Sequence, residues 1–293
     1  MISFLTSIKK YFSLVKFSHT IFAMPFALIG FSLAVFMEDN DFSIRLLLLI
    51  IICMIFARNA AMGFNRLVDR QFDSLNPRTN SREIPTGVIS IRAAVTFVTI
   101  NALLFIGTTA FINRLTLFLS PVALMIILGY SLSKRITSLS HFILGLGLSL
   151  APIGAYISVT GTFRIIPLVY SLIVLTWVSG FDIIYALQDD EFDRSHQLHS
   201  LPSNAGRKRS LHISVFVHIL TFILVLIAGF VGKGSYLYWS GASLFTLFLI
   251  YQHLIVKHDD LRRVNTAFGT TNGIASIVFA LFMIIDLISR YNN

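Results

Sequence analysis

The stretch NRLVDRQFD, from Asn65 to Asp73, constrains the fold and chemistry of this sequence more than any other. It places Asn65, Asp69 and Asp73 four residues apart, and helical residues at this spacing lie on one face. If the stretch is helical, an amide and two carboxylates point the same way. This first acidic segment directly follows a long apolar run, where charge is energetically costly and indicates a function.

A second acidic segment, DIIYALQDDEFD from Asp182 to Asp193, repeats the carboxylate spacing 120 residues further on, at Asp189 and Asp193. Asp182 precedes Asp189 by seven residues, which is about two helical turns. On a continuous helix Asp182, Asp189 and Asp193 share a face, with Tyr185 beside them. Two carboxylate pairs that face each other can hold divalent cations.

The donor types in the two acidic segments suit a hard cation. Mg²⁺ prefers carboxylate, amide and water oxygens, and it is commonly held by one or two carboxylates together with the oxygens of a substrate phosphate. The segments lack the His and Cys spacing of a structural zinc site. Acids that decorate two helix ends, with no metal, are the alternative interpretation.

Cationic residues lie in loops on the same predicted side of the membrane as both acidic segments. They are Arg78 and Arg82 after the first segment, Lys134 and Arg135 in a short loop, and Arg207 to Arg209 after the second segment. One guanidinium group can bind two phosphate oxygens at once. Acids and bases on one side of the membrane can therefore hold a metal ion and a polyanion together. The alternative is that the bases only reflect membrane topology. The eight histidines are scattered, and none is assigned to catalysis.

Composition identifies an integral membrane protein of the all-α class. Of 293 residues, 55% are apolar and 13% are charged, and the mean hydropathy is +0.78. Apolar runs that can cross a hydrocarbon core of about 30 Å as helices of about 20 residues recur along nearly the whole chain. The net charge of +9 lies in loops and not in a separate basic domain, so anionic lipid or substrate explains it better than nucleic acid does. The one cysteine, Cys53, excludes an internal disulfide.

The apolar runs predict a bundle of nine transmembrane helices in one domain, residues 1–293. Their approximate limits are His19 to Met37, Ile44 to Gly63, Ile91 to Ile112, Leu115 to Leu132, Leu139 to Val159, Ile165 to Ile184, Leu211 to Val231, Tyr236 to Val256 and Thr266 to Ser289. Loops on the side of the N-terminus carry 17 of the 23 Lys and Arg residues, and loops on the other side carry five. This asymmetry predicts a multi-pass protein of the cell inner (plasma) membrane, with its N-terminus and both acidic segments in the cytoplasm.

The domain shows a weak internal duplication. Two spans precede the first acidic segment, and the second segment follows four spans later. Residues 1–135 and 136–263 form the halves of this pseudo-repeat, and residues 264–293 add the last helix. The repeat is chemical more than textual, because Asn65 corresponds to Tyr185 when the aspartates are aligned.

Several motifs resemble those of the UbiA superfamily of intramembrane prenyltransferases. They are NxxxDxxxD at 65–73, DxxYAxxDxxxD at 182–193, NPRT…REIPTG at 76–87, YSLSKR at 130–135 and KFSHTIFAMP at 16–25. The resemblance implies a nine-helix bundle whose active site lies beneath a cytosolic cap of short helices and loops. It also implies two Mg²⁺ ions that bridge a polyprenyl diphosphate, and a tunnel open to the lipid bilayer for the prenyl tail.

The resemblance further implies a role for each motif residue. The implied metal ligands are Asn65, Asp69 and Asp73 for one ion and Asp189 and Asp193 for the other. The implied diphosphate ligands are Arg78, Arg82 and Lys134. The implied catalytic residues are the four motif aspartates, Asp69, Asp73, Asp189 and Asp193, together with Asp182. Asp182 is implied to lie either behind the metal ligands or beside the substrate that accepts the prenyl group. Tyr185 is implied to line the substrate cavity.

The implied reaction is Mg²⁺-dependent transfer of a polyprenyl group from a polyprenyl diphosphate to an aromatic acceptor in quinone biosynthesis. REIPTG, KR and DxxYAxxD are most similar to the branch that uses 4-hydroxybenzoate. A menaquinone-pathway branch with a naphthoate-type acceptor is the alternative, because the ending Asp-Asp-Glu-Phe-Asp departs from the adjacent acids common in 4-hydroxybenzoate enzymes. A cation-coupled membrane transporter is the alternative from another class, since intramembrane carboxylates also mark ion pathways.

Overall fold

Helices account for all the regular secondary structure in the part of the chain that the structure describes. The structure is a computed structural model, and it describes residues 10, 11, 13–15 and 22–292. Its α-helices are α1 (Met24–Phe36), α2 (Ile44–Val68), α3 (Arg70–Leu75), α4 (Ile91–Thr109), α5 (Arg114–Ser133), α6 (Ser140–Thr160), α7 (Ile165–Ala186), α8 (Asp190–Ser195), α9 (Leu201–Ala205), α10 (Arg207–Val231), α11 (Tyr236–Ile255) and α12 (Asn272–Tyr291). A 3₁₀ turn at Leu187–Asp189 and a π-helix at Thr266–Thr271 are also present. The all-α prediction is confirmed for these residues.

Seven helical segments among the described residues are long and apolar enough to cross a membrane. They are Ile44–Val68, Ile91–Thr109, Arg114–Ser133, Ser140–Thr160, Ile165–Ser195, Arg207–Val231 and Thr266–Tyr291. The protein is therefore a multi-pass membrane protein. Of the other two predicted spans, α1 has 13 residues, and α11 has 20 residues but carries Gln252 and His253 near its end. The predicted start of the first span, His19, lies outside the described residues.

Local caps set the limits of several long helices. Ser43, Ser90 and Asn113 precede α2, α4 and α5, and each side chain accepts a hydrogen bond from a backbone N–H of the first turn. Asn113 Nδ2 also donates to the carbonyl of Ile157 over 2.9 Å, which ties the α4–α5 turn to α6. The predicted turn after span five is confirmed: Gly161 ends α6 with a φ of 65°, a left-handed conformation that suits glycine.

Both acidic segments interrupt their helices. α2 ends at Val68 and α3 begins at Arg70, with Asp69 as the junction. α7 ends at Ala186, and the 3₁₀ turn separates it from α8. A 3₁₀ helix has about 3.0 residues per turn, and an α-helix has about 3.6. The 3₁₀ turn therefore changes the direction in which the following side chains point, relative to those of α7. The condition under which Asp182, Asp189 and Asp193 were expected to share one face, a continuous α-helix, is therefore not met.

α7 is the central helix of the packed interior. Its Trp177 is fully buried, and the indole packs against Phe26 of α1, Phe181 of α7 and Phe245 of α11. Trp177 Nε1 donates to Asn272 Oδ1 of α12 over 2.9 Å, so the polar edge of the ring is also satisfied. Buried aromatic rings contribute large apolar area and packing energy. These contacts fix the position of the helix that leads into the second acidic segment.

Gly30 allows α1 to approach α6 closely, and its substitution is expected to destabilise the fold. A Cβ at Gly30 would overlap the backbone carbonyl of Pro152, which cannot move like a flexible side chain. We expect Gly30→Ala to lower the free energy of unfolding by about 1–3 kcal/mol, the range for overpacked interiors. Gly107→Ala is the matched control, because a Cβ at Gly107 meets nothing within 4 Å. Thermal unfolding in detergent measures both, and equal melting temperatures for the two variants would contradict the prediction.

Candidate active site

The two acidic segments meet at one end of the bundle, which carries Asp69 and Asp189 and is termed the motif end. The loop after α3 bridges them: Asn76 Nδ2 donates to Asp189 Oδ1 over 3.1 Å, and Arg78 Nε donates to the same oxygen over 2.9 Å. Arg78 Nη2 pairs with Asp189 Oδ2, so the guanidinium holds the carboxylate through two nitrogens. Arg78 Nη1 donates to Tyr185 Oη over 3.0 Å. Asn76 and Arg78, in the loop after α3, thus hold the second acidic segment in place.

Each of the four motif aspartates lies within ion-pair distance of a cation. Besides Arg78 with Asp189, the pairs are Arg82 Nη1 with Asp73 Oδ1 at 2.6 Å, Lys134 Nζ with Asp193 Oδ2 at 3.5 Å and Arg135 Nη2 with Asp69 Oδ1 at 3.5 Å. The motif end therefore carries acids and bases side by side. This arrangement can hold a metal through the carboxylates and a polyanion through the bases.

The donor set at the motif end fits Mg²⁺. Asn65 Nδ2 donates to Asp69 Oδ2 over 2.9 Å, so these side chains lie together as their spacing predicts. Asp73 Oδ2 is buried without a hydrogen-bond partner. Burial of a carboxylate oxygen in this way is energetically costly unless a ligand binds to that oxygen. No three Asp, Glu, His or Cys side chains of the described residues form a tight metal-binding group. The oxygen ligands are thus present at one end of the bundle, while each motif carboxylate is engaged with a cation.

Asp69 has a raised pKa, which predicts a pH dependence. Burial disfavours its charged form and the Asp73 carboxylate repels it, and together they raise the pKa to about 6 despite Lys134 and Arg135 nearby. We expect Mg²⁺ binding to weaken as the pH falls through about 6, by up to about tenfold per pH unit, because protonated Asp69 must first lose its proton. Titration calorimetry from about pH 5 to about pH 8 measures this affinity. In Asp69→Asn the affinity for Mg²⁺ is expected to vary less with pH. A wild-type affinity that is constant between these pH values would contradict a role for Asp69 as a metal ligand.

A cavity of about 620 Å³ extends from the motif end into the bundle. Asp69, Asp189 and Lys134 line its mouth, and Thr116 lines its far part. Thr116 and Lys134 are separated by 18 residue steps, which correspond to about 27 Å of helix, close to the thickness of about 30 Å of a hydrocarbon core. The aromatic residues in its wall are Phe22, Phe72, Phe105, Phe163, Phe181, Phe192 and Phe268, with Tyr130 and Tyr185. The cavity can hold a long apolar chain whose charged head stays at the mouth.

Asp182 lies deeper in this cavity than the motif carboxylates. It lies in α7, seven residues before Asp189, and lines the wall about two helical turns deeper. Its Oδ2 lies 2.7 Å from Nδ1 of His141 in α6. Asp182 is therefore on the interior side of the site, and Tyr185 lies in the wall between it and Asp189.

Several polar residues of the cavity wall were not assigned a role from the sequence, and four of them have large or strongly polar side chains. These four are Arg58, Arg66, Asn76 and Tyr130. Arg58 lies seven residues before Asn65 in α2, which places it about two turns deeper in the bundle. An arginine inside a predicted span is itself the signal that could have identified it. Asn76 and Tyr130 each open a motif quoted in the sequence analysis, NPRT and YSLSKR, and that position is the signal that could have identified them.

In the basic cluster Arg207–Arg209, Arg207 pairs with acidic residues of α8. Arg207 Nε and Nη2 donate to the two carboxylate oxygens of Asp190 over 2.9 and 2.7 Å, and Nη2 also donates to Glu191 over 3.0 Å. The cavity wall described above includes none of the three basic residues. Arg207 therefore joins the start of α10 to α8 and stabilises the second acidic segment from outside.

Comparison with known proteins identifies a consistent set of similar sequences. A model of the UbiA prenyltransferase family matches residues 23–283. The 4-hydroxybenzoate octaprenyltransferase of Tolumonas auensis is 28% identical over 242 residues, which cover 83% of this chain and 84% of that protein. The 4-hydroxybenzoate octaprenyltransferase of Francisella tularensis subsp. tularensis is 25% identical over 248 residues, which cover 85% and 86%.

Solved structures share the fold. The apo structure of a UbiA homolog from Aeropyrum pernix K1 has a TM-score of 0.79 at 27% identity and covers 93% of this chain and 98% of that one. A UbiA homolog from Archaeoglobus fulgidus, in a structure bound to DMAPP and Mg²⁺, has a TM-score of 0.77 at 21% identity and covers 96% and 99%. The second similarity is one of fold alone.

Proposed function

The chain belongs to the UbiA prenyltransferase family, and we propose that it transfers a polyprenyl group from a polyprenyl diphosphate to a hydroxylated aromatic acid, of the 4-hydroxybenzoate type, in quinone biosynthesis. The observation that carries this proposal is the set of four carboxylate–cation pairs at the mouth of a long apolar cavity. Such a mouth suits a metal diphosphate, and such a cavity suits a prenyl tail. The activity for which the similar relatives are named supports the acceptor class.

The motif carboxylates are the proposed ligands of two Mg²⁺ ions. Asn65, Asp69 and Asp73 hold one ion, and Asp189 and Asp193 hold the other. The buried Asp73 Oδ2, which lacks a hydrogen-bond partner, supports a ligand at this position. When bound, Mg²⁺ supplies charge neutralisation on the leaving diphosphate.

Arg78, Arg82 and Lys134 are the proposed diphosphate ligands. Burial lowers the pKa of Lys134, but the carboxylates of Asp193 and Asp189 outweigh that effect and raise it, so the ammonium group stays charged. The two guanidinium groups match pairs of phosphate oxygens. Fixed positive charge at the mouth stabilises the negative charge that develops as the allylic C–O bond breaks.

The cavity wall protects the carbocation that this step leaves behind. Tyr185 stacks on Phe268 with ring centroids 4.1 Å apart, and both line the cavity. Aromatic faces attract cations, and the apolar wall excludes water that would otherwise quench the carbocation. An electron-rich ring held in the cavity then attacks the carbon, and the ring loses a proton.

Arg58 is the proposed partner of the acceptor carboxylate. Its place about two turns below Asn65 puts a guanidinium group inside the bundle, beneath the proposed metal layer. Its side chain lines the cavity wall at that depth, within reach of a ligand bound in the cavity. An aromatic acid bound with its carboxylate on Arg58 would present its ring toward the mouth, where the prenyl carbon lies.

Two alternatives differ in substrate or in class. A naphthoate-type acceptor of a menaquinone pathway would use the same carboxylate contact, so it is the runner-up within this reaction. A cation-coupled transporter would place its charged groups on helices broken near their middles. Here the breaks follow the last residues of the long helices α2 and α7, at Asp69 and Leu187–Asp189, which favours the enzyme.

Topology and organisation complete the proposal. The nine predicted spans include α1 and α11, and the chain forms one domain with the pseudo-repeat of residues 1–135 and 136–263. The motif end, with short helices α3, α8 and α9 as its cap, lies in the cytoplasm. The charge asymmetry of the loops supports this orientation in the cell inner membrane.

Product analysis by mass spectrometry tests the proposed function. Purified protein is incubated with Mg²⁺, prenyl diphosphates of several lengths and a panel of hydroxybenzoates and hydroxynaphthoates. We expect a prenylated aromatic acid and released diphosphate, both lost when a chelator removes the metal. Ion flux in proteoliposomes, with no prenylated product from any acceptor, would instead favour the transporter.

A further inference from the structure

His141 is a fully buried residue with both ring nitrogens engaged. It lies in the first turn of α6 and is 0% exposed. Its Nε2 accepts a hydrogen bond from the backbone N–H of Leu201 over 3.3 Å, so Nε2 carries no proton. The ring proton therefore sits on Nδ1, which donates it to Oδ2 of Asp182 over 2.7 Å. The two contacts fix the tautomer of the imidazole.

Asp182 has one oxygen engaged with this imidazole and remains accessible from the cavity. Its side chain is 17% exposed and lines the cavity wall. Asp182 lies about two turns below Asp189, and Arg58 lies about two turns below Asn65, so both are at a similar depth beneath the motif end. The Tyr130 side chain is within electrostatic range of both. An aromatic acid whose carboxylate meets Arg58 thus has its ring beside Asp182.

We propose that Asp182 is the base that accepts the proton leaving the acceptor ring, and that His141 is the positioning residue that holds Asp182 for this step. The inference rests on the function proposed above. It gives Asp182 a specific role in the reaction and assigns a role to a histidine that no motif contains.

The proton transfer balances without a further reactant. The allylic C–O bond breaks and its electron pair leaves with the diphosphate. A ring carbon then forms a bond to the prenyl carbon. The C–H electron pair of that ring carbon returns to the ring as its proton passes to the Asp182 oxygen not bonded to His141. The carboxylic acid later releases the proton to solvent.

His141 acts on this step through orientation. A base must lie within hydrogen-bond reach of the proton that it removes. The Nδ1–H bond holds one carboxylate oxygen of Asp182 against α6, which keeps the other oxygen on the cavity side. A purely structural role is the competing explanation, because the Leu201 contact also ties α9 to α6.

Two substitutions at His141 separate positioning from structure. The amide of His141→Asn can still donate a hydrogen bond from the position of Nδ1, whereas the side chain of His141→Leu cannot. We expect His141→Leu to lower the rate constant of transfer by about 10–100-fold, the range for residues that orient a functional group, and His141→Asn to recover most of it. Binding of Mg²⁺ and prenyl diphosphate, measured by titration calorimetry, is expected to be unchanged in both.

A ring-deuterated acceptor supplies a readout that a structural role would not move. Proton loss that follows ring alkylation is fast when its base is in place, so the wild type is expected to show little isotope effect. A displaced or missing base makes this proton loss slower. The isotope effect on transfer is therefore expected to rise in His141→Leu and in Asp182→Asn, and to stay at the wild-type value in His141→Asn.

Each outcome decides the inference. Lowered transfer with an unchanged isotope effect overturns it, and so does loss of prenyl diphosphate binding in His141→Leu, which would make His141 an anchor of the fold. If His141→Leu does not fold, wild-type transfer in Asp182→Asn or a raised isotope effect in His141→Asn overturns it. A wild-type protein that prenylates no aromatic acid contradicts the proposed function, which is a separate result from any difference between variants.

Discussion

Asp189→Asn is expected to abolish prenyl transfer while the protein stays folded. Asp189 is 8% exposed and accepts hydrogen bonds from Asn76 and Arg78. Asparagine has nearly the same shape and keeps one acceptor oxygen for these donors, so the bridge between the two acidic segments can persist. The substitution removes the negative charge that a metal ion requires. A catalytic metal contributes several kcal/mol to transition-state stabilisation, so we expect a loss of at least about 1000-fold in initial rate.

Glu191→Gln is the matched control for this substitution. Glu191 lies in the same acidic segment, but its side chain is 84% exposed and pairs only at the surface with Arg207. Exposed ion pairs contribute about 0–1 kcal/mol, so this variant is expected to keep nearly normal turnover and melting temperature. Initial rates by mass spectrometry and thermal unfolding compare the variants. Near-normal turnover in Asp189→Asn would show that Asp189 is not a metal ligand. An equal loss of turnover in Glu191→Gln would show that the loss comes from a general disturbance of the cap.

The long helices could be predicted from the sequence because hydropathy is a strong signal over a whole span. Span two was predicted to begin at Ile44, where α2 begins, but to end at Gly63, five residues before Val68. The apolar run ends there because the first acidic segment begins, yet the helix continues through it. The breaks at Asp69 and after Ala186 could not be predicted, since neither is marked by Gly or Pro.

The candidate site was predictable in its residue types and not in its partners. The spacing of four located Asp189 within an acidic pair, but its guanidinium partner Arg78 is 111 residues away in sequence. His141 is one of eight scattered histidines, and its contact with Asp182 depends on the packing of α6 against α7. Such contacts are set by tertiary packing, on which single-chain periodicity carries no information.

Arg58→Leu is expected to impair use of the acceptor while leaving prenyl diphosphate binding intact. Arg58 lines the cavity about two turns below Asn65, away from the carboxylates at the mouth. Leucine fits an apolar wall, so the main loss is the charged partner proposed for the acceptor carboxylate. Removing one member of a buried, hydrogen-bonded charge pair costs about 2–5 kcal/mol, which corresponds to a fall of about 30-fold or more in kcat/KM for 4-hydroxybenzoate. Arg58→Lys keeps the charge and is expected to recover part of this loss.

Arg45→Leu and an acceptor without a carboxylate make the Arg58 test specific. Arg45 is exposed in the first turn of the same helix and donates to the Phe111 carbonyl over 3.4 Å, outside the cavity wall, so its loss is expected to leave kcat/KM unchanged. Phenol lacks the carboxylate that Arg58 is proposed to bind, so Arg58→Leu should lower kcat/KM for 4-hydroxybenzoate far more than for phenol. Equal losses with both acceptors would show that Arg58 shapes the cavity without contacting the carboxylate. The ratio of the two losses, and not either rate alone, therefore measures whether the acceptor is recognised as an aromatic acid.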